Sequence, residues 1–303
     1  MKLSVIIVTY DMPRVLPRTL QSLQTSYQLE GDSIDYEVIV IDNGSSKPPT
    51  PSEITKFGHQ FKYYPLENPP PSPAFALNYG VKKASGDHIC LMVDGAHLLT
   101  PGLLSKATAC FRAMPNAVVI TRYFYLGPGE QNDTILNGYN EEQEDKLLEK
   151  IDWPNMGYRL FEIGVPQVFK DFPNYTWFYA ALESNCLFMS KANFLDIGGA
   201  DEQFDIAGGG FMNIDLYKRI CDYEKSQPVM LIGEGSFHQL HGGTTTNVPP
   251  DEQSRRVKIY QDQYRQLRSE DLKPINKKLF YFGNFPTAAS KIQRLNARKN
   301  KNQ

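Results

Sequence analysis

The chain has 303 residues, a net charge of −2, 41% hydrophobic and 22% charged residues. That is the composition of a globular protein of one large or two small domains, long enough to bury a sizeable core. The near-neutral charge excludes broad electrostatic capture of nucleic acid, and no run approaches the roughly 20 apolar residues of a membrane-crossing helix.

In chain order, "LSVIIVTY" (Leu3 to Tyr10) is short, apolar and β-branched, the pattern of a strand buried on both faces in a parallel sheet. Lys2 precedes it and no cleavage site follows, so it is not read as a signal peptide. Val15, Leu16, Leu20 and Leu23 then recur at helical spacing. "DYEVIVIDNGSS" is a second buried strand ending in Asp42-Asn43-Gly44, a turn sequence. A Pro-rich loop, a short strand near Phe61 to Tyr64 and a helix from Pro73 to about Ala84 follow, with Gly86 as a stop. "HICLMVDGAH" is the next strand, and it delivers Asp94 at its end.

The first hundred residues thus alternate strand and helix, which predicts a doubly wound α/β sheet with ligands at the carboxyl ends of its strands. Thr9-Tyr10, Asp42-Asn43 and Asp94 all fall at such ends. Each alone reads equally as a turn or a helix cap; three at one edge point to a site.

Beyond residue 100 the pattern loosens. A helix is expected over Leu103 to Met114 and a strand over "NAVVITRYFYLG". "EEQEDKLLEK" reads as an exposed helix, and Trp153 to Tyr179 is aromatic and irregular. A strand and short helix over "SNCLFMSKANFLDIGG", a helix over "NIDLYKRICDYEK", a strand over "QPVMLIGEGSFH" and a solvated helix over "DEQSRRVKIYQDQYRQLRSE" complete the chain before a basic tail. Cys90, Cys110, Cys186 and Cys221 form no CxxC pair, so buried thiols in a reduced, cytoplasmic protein are expected rather than zinc ligands or disulfides.

"VIIVTYDMPRVLPRTLQSL", "YEVIVIDNGSS", "ALNYGVKKASGDHICLMVDG" and "IGGADEQF" together resemble the GT-A fold glycosyltransferases of family 2 over roughly residues 3–243. The resemblance implies a GT-A fold: a Rossmann-like, mostly parallel central sheet with flanking helices. It implies a GT-A domain over 1–245, with a nucleotide-binding half (1–100) and an acceptor half (101–245). A helical C-terminal extension with a basic tail then covers 246–303. The implied activity is inverting transfer of a sugar from a nucleotide-sugar, most often a UDP-sugar, to a hydroxyl of a glycan or lipid-linked acceptor. Thr9 and Tyr10 are then expected at the base, Asp42 and Asn43 at the base and ribose edge, and Asn78 with Lys82-Lys83 near the ribose and diphosphate.

The family pattern has Asp-x-Asp after the fourth core strand, with its second Asp on a divalent cation, Mn²⁺ or Mg²⁺, that neutralises the diphosphate. Here the sequence reads Asp94-Gly95-Ala96. His97 adjoins it, but strand alternation would turn it to the opposite face. Three readings stand open: Asp94 binds metal with help from elsewhere, the enzyme works without metal, or the site is dead. In "FHQLHGGTTTN", His238 and His241 are the candidate helpers, with His241, nearer the glycines, slightly preferred; the alternative is a diphosphate cradle of Thr244 to Thr246 and glycine N–H groups.

The acceptor-side pattern Glu-Asp-x-Asp-Leu falls on Met212-Asn213-Ile214-Asp215-Leu216. An Asn amide does not take a proton near neutral pH, so Asp215 becomes the expected base, with Asp201 and Glu202 as reserves. Gly208 to Gly210 permit a close backbone approach to a sugar. Glu183 and Asn185 fall where the family places donor-sugar or acceptor contacts. Trp153, Trp177, Phe178 and Tyr179 would suit a sugar-stacking wall or the core. Lys291, Arg294, Arg298 and Lys299 open the option of peripheral contact with an anionic membrane. Against transfer stands an inactive nucleotide-sugar-binding protein, motivated by Ala96 and Asn213.

Overall fold

A computed structural model of the chain describes residues 1–167, 176–178, 181–243 and 248–285. The expected strands of the first hundred residues are β1 (Leu3–Thr9), β2 (Tyr36–Asp42), β3 (Phe61–Pro65) and β4 (His88–Met92). Both β1 and β2 are buried along their whole length, which explains why they read as unbroken apolar runs rather than alternating ones. Burial of each Val, Ile or Leu side chain stabilises the fold by roughly 1.5–3 kcal/mol. The layers on the two sheet faces form two cores, one around Ile6, Ile39 and Leu91 and one around Val5, Val38 and Cys90.

The remaining strands are β5 (His97–Leu99), β6 (Ala117–Leu126), β7 (Gly164–Pro166), β8 (Leu187–Ser190), β9 (Gln227–His238) and β10 (Phe280–Gly283). Their order is β10-β9-β6-β8-β4-β1-β2-β3, with β5 on β9 and β7 on β6. Along that path only β8 runs against its neighbours. The carboxyl ends of β1, β2, β4, β6 and β9 therefore share one edge with the chain leading into β8.

Among the described residues ten α-helices flank the sheet: α1 (Leu16–Gln21), α2 (Pro51–Thr55), α3 (Pro73–Lys83), α4 (Leu103–Ala113), α5 (Gln131–Leu136), α6 (Glu141–Lys150), α7 (Leu160–Ile163), α8 (Lys191–Asp196), α9 (Met212–Asp222) and α10 (Pro250–Arg268). Helix α3 starts at a Ser72 cap followed by Pro73, whose missing N–H costs nothing at a helix start. Two expectations are revised. The acidic helix α6 is not exposed throughout, because Glu144 is fully buried and Leu148 nearly so. Helix α10 is not only solvated, since Tyr260 and Tyr264 are buried.

Strand β10, in the stretch beyond residue 245, pairs in parallel with β9. All four cysteines are free and buried. Among the described residues no helix is long and apolar enough to cross a membrane. The tail cations Lys291, Arg294, Arg298 and Lys299, together with Thr244 and Tyr179, lie outside the described residues.

Candidate active site

The chain bends between β4 and β5, and this bend carries Asp94. One carboxylate oxygen accepts the Ala96 N–H at 2.7 Å. The other lies 3.2 Å from His241 Nε2 and 3.6 Å from His238 Nε2. The two imidazole nitrogens are 3.0 Å apart. The gap of more than a hundred residues is closed by pairing: β5 lies on β9, with His97 opposite His238, so the end of β9 comes back to the bend.

Each histidine is oriented from behind. Gln131, on α5, donates its amide N–H groups to the carbonyls of His238 at 3.0 Å and Leu126 at 3.3 Å. Its amide oxygen is thereby turned toward His238 Nδ1 at 2.7 Å, so Nδ1 carries the hydrogen. In neutral His238 the Nε2 lone pair then faces Asp94. The turn to His241 is held by Glu144, whose carboxylate accepts the Leu240 N–H at 2.6 Å and the Arg14 guanidinium at 3.1 Å. Arg14 also donates to the Leu240 carbonyl.

Charge in the cluster follows from these contacts. Burial works to raise the Asp94 carboxyl, but the charge of His241 and the imidazoles beside it outweigh it and hold it well below its ordinary range. Burial lowers His238. Burial also acts to lower His241, yet Asp94 beside it raises it. His97 is pushed down to about 3, first by burial and then by the neighbouring His238.

His97 does not turn away from the site as expected. Its side chain is fully buried, and donor atoms of Asp94, His97 and His238 all lie within 4.8 Å of one another. Strand alternation fails as a guide because the bend separates Asp94 from the start of β5. Both His97 ring nitrogens lack a hydrogen-bond partner among the described residues.

The donor set suits a divalent ion. Bonds of about 2.1 Å from one ion place neighbouring ligand atoms roughly 3.0–3.4 Å apart; the His238–His241 and Asp94–His241 separations, 3.0 and 3.2 Å, fall in that range, and Asp94–His238, at 3.6 Å, lies just beyond it. Ala96, in place of the second family Asp, is fully buried, and its carbonyl accepts Gln239 N–H at 2.8 Å.

The other strand ends form a second group at the same edge. The Asn43 N–H donates to the Thr9 carbonyl at 2.8 Å, and Asp42 accepts the Ser45 N–H at 2.7 Å. Asp11, in a left-handed conformation, accepts the Ser46 N–H and hydroxyl at 2.8 Å, tying the two strand-end loops together. Asp42 Oδ2 and Asn43 Oδ1 are buried with no partner among the described residues, while Tyr10 is 55% exposed.

Other expected residues are engaged elsewhere. Asn78 exchanges hydrogen bonds with the Ala200 backbone at 2.9 and 3.0 Å and donates to Glu202 at 2.8 Å, so its amide holds the Gly198 to Glu202 loop. Asp215 is 1% exposed, and both oxygens are bound by guanidinium groups: Arg219 at 2.7 Å and Arg268 at 2.6 and 2.8 Å. Asp201 also pairs with Arg268. Trp177 is a core residue whose indole N–H donates to the Glu234 carbonyl, and Trp153 packs on Tyr27. Sequence reasoning missed Gln131, Glu144 and Arg14, none of which carries a motif.

A family model described as glycosyl transferase family 2 matches residues 4–163. No curated protein sequence matches the chain. Among solved structures, S. aureus TarS 1-349 in complex with UDP-GlcNAc is 18% identical with a TM-score of 0.53, covering 90% of this chain and 68% of that one. A second S. aureus TarS structure is 16% identical with a TM-score of 0.52, covering 89% of this chain and 44% of the other. At such identities the likeness is one of fold, and it is the GT-A arrangement of a sheet with its site along one edge. The family match spans more than half of the 303 residues and contains the strand ends and the Asp94 bend, so the chain belongs to glycosyl transferase family 2 and is a glycosyltransferase.

Proposed function

We propose that the protein moves a sugar, with inversion, from a UDP-sugar to a hydroxyl of a glycan or lipid-linked acceptor. The observation that carries this reading is the meeting of Asp94, His238 and His241 on the same sheet edge as the unpartnered acceptors of Asp42 and Asn43. A buried acceptor without a partner is costly, by roughly 1–3 kcal/mol, and a uracil N3–H would relieve it. The fold shared with TarS, solved with UDP-GlcNAc, supports the same donor class.

Thr9 and Asp11 fix the two loops that would enclose the base, and exposed Tyr10 is free to close over it. Asp94, His238 and His241 would hold a divalent ion, which supplies positive charge against the diphosphate as it leaves. Gln131 and Glu144 keep the two imidazoles turned to that position. The basic sequence beyond residue 285 fits contact with an anionic membrane surface from the cytoplasmic side.

Calorimetry with UDP tests the reading. UDP is expected to bind at least roughly tenfold more tightly with Mn²⁺ than with EDTA, and His241→Ala is expected to abolish that difference. Absence of UDP binding in either condition overturns it. Ala96 and Asn213 favour a second reading, a binder without turnover, which predicts UDP binding but no release of UDP from any UDP-sugar.

A further inference from the structure

We propose that Glu183 is the general base of the transfer, replacing the carboxylate that the family pattern has at Asn213. The assignment deepens the proposed function and rests on it.

Contacts tie Glu183 to the site. It lies in the chain leading into β8, which runs antiparallel to β4, with Leu91 opposite Leu187 and His88 opposite Ser190, so this chain enters at the edge where β4 ends. Gln167, which donates to Glu183 at 3.0 Å, also donates its backbone N–H to the Tyr123 carbonyl at 3.0 Å. The Tyr123 ring packs on His97 and His238, with centroids at 5.2 and 5.6 Å, so two residues join Glu183 to the histidine cluster.

The contacts of Glu183 suit a base. Gln167 donates to one oxygen at 3.0 Å and Asn213 donates to the other at 3.1 Å. The second Asn213 contact, to Asn185 Oδ1 at 3.1 Å, fixes the amide so that it donates toward Glu183. Among the described residues no cation pairs with Glu183, whereas Asp215 is bound by two guanidinium groups. Glu183 is partly exposed and Asp215 is not. The missing Asp at position 213 thus has a carboxylate one hydrogen bond away, presented by the chain leading into β8.

In the reaction the acceptor oxygen forms its bond to the anomeric carbon while its proton passes to a Glu183 oxygen. The bond from the anomeric carbon to the phosphate oxygen breaks, and its electron pair leaves with the diphosphate. Glu183 returns the proton to solvent.

UDP release from UDP-GlcNAc, UDP-glucose and UDP-galactose in Mn²⁺, with water as the surrogate acceptor, provides the assay. Glu183→Gln keeps the shape and, through its amide oxygen, one of the two accepted amide contacts. It is expected to bind UDP within twofold of wild type and to slow release by roughly 100-fold or more. The swap Glu183→Gln with Asn213→Asp returns the carboxylate to the family position and is expected to recover at least roughly tenfold of the loss. A purely structural role for Glu183 would give no such recovery. The proposal is overturned if Glu183→Gln releases UDP at near the wild-type rate, or if the swap binds UDP and recovers nothing. Wild-type protein that binds UDP yet releases none from all three sugars overturns the base and leaves the binder. Wild-type protein that binds no UDP overturns the donor reading beneath it.

Discussion

His238 shows how one amide sets a site. Gln131 fixes the hydrogen on Nδ1 and so turns a lone pair toward Asp94, where a carboxylate oxygen already waits 3.6 Å away. Two electron-rich atoms at that distance need a cation between or beside them, which protonated His241 or a metal ion supplies. Because two of the three donors are imidazoles, the site should favour Mn²⁺ or Co²⁺ over Mg²⁺, which prefers oxygen ligands and retains its water. The expected outcome is UDP affinity at least roughly tenfold higher with Mn²⁺ than with Mg²⁺ at equal concentration, read by calorimetry. Equal affinities would remove the histidines from the coordination set. Asp94 and the late histidines were legible in the sequence because a strand end and a short spacing mark them. Gln131 and Glu144 were not: their contacts reach 107 and 96 residues along the chain, and no local pattern encodes a partner so distant. Glu183 was marked by the family resemblance as a sugar or acceptor contact, but its meeting with Asn213, 30 residues on, was not legible.

At the scale of elements, β1, β2, β3 and the loop after α3 are joined by one buried carboxylate. Glu37, on β2, accepts the Ser4 hydroxyl from β1 at 2.7 Å, the Ser85 N–H and hydroxyl at 2.7 and 2.6 Å, and Lys62 from β3 at 2.6 Å. Burial acts to raise this carboxyl, but the Lys62 and Ser85 contacts prevail and bring it from 4.5 to about 2. A depressed carboxylate contributes stability that is present above its unfolded value and is lost as pH falls toward its folded one. Glu37→Gln is therefore expected to destabilise the protein at pH 7 by about 2 kcal/mol, a figure reduced from the full shift because Lys62 is half-exposed. The gap between variant and wild type should close as pH is lowered from about 4.5 toward 2, in urea unfolding at stepped pH. A gap independent of pH would mean that Glu37 acts by packing alone. The strands themselves were readable from their apolar runs, whereas Glu37 sat in "DYEVIVID" without any signal that it was a buried junction.

At the scale of the whole molecule, the described residues from 248 to 285 close the fold. Strand β10 covers the edge of β9, which would otherwise present unpaired backbone groups. Asn276 bonds Asp222, and the Lys277 ammonium caps the Tyr223 and Ser226 carbonyls, fixing the end of α9. Arg268, at the end of α10, reaches back to Asp201 and Asp215. Without it the buried Asp215 would keep Arg219 alone, and leaving a buried charge partly uncompensated costs about 3 kcal/mol. Arg268→Ala and Asp215→Asn should therefore each lower the urea midpoint of unfolding with the slope unchanged. Below that midpoint, both should bind UDP and release it from a UDP-sugar at near the wild-type rate, since the contacts of both lie with Arg219, Asp201 and each other rather than with Asp94, the late histidines or Glu183. Were Asp215→Asn instead to keep full stability and lose UDP release, the base would lie on α9, and the ion pair with Arg268 would have to open during each turnover.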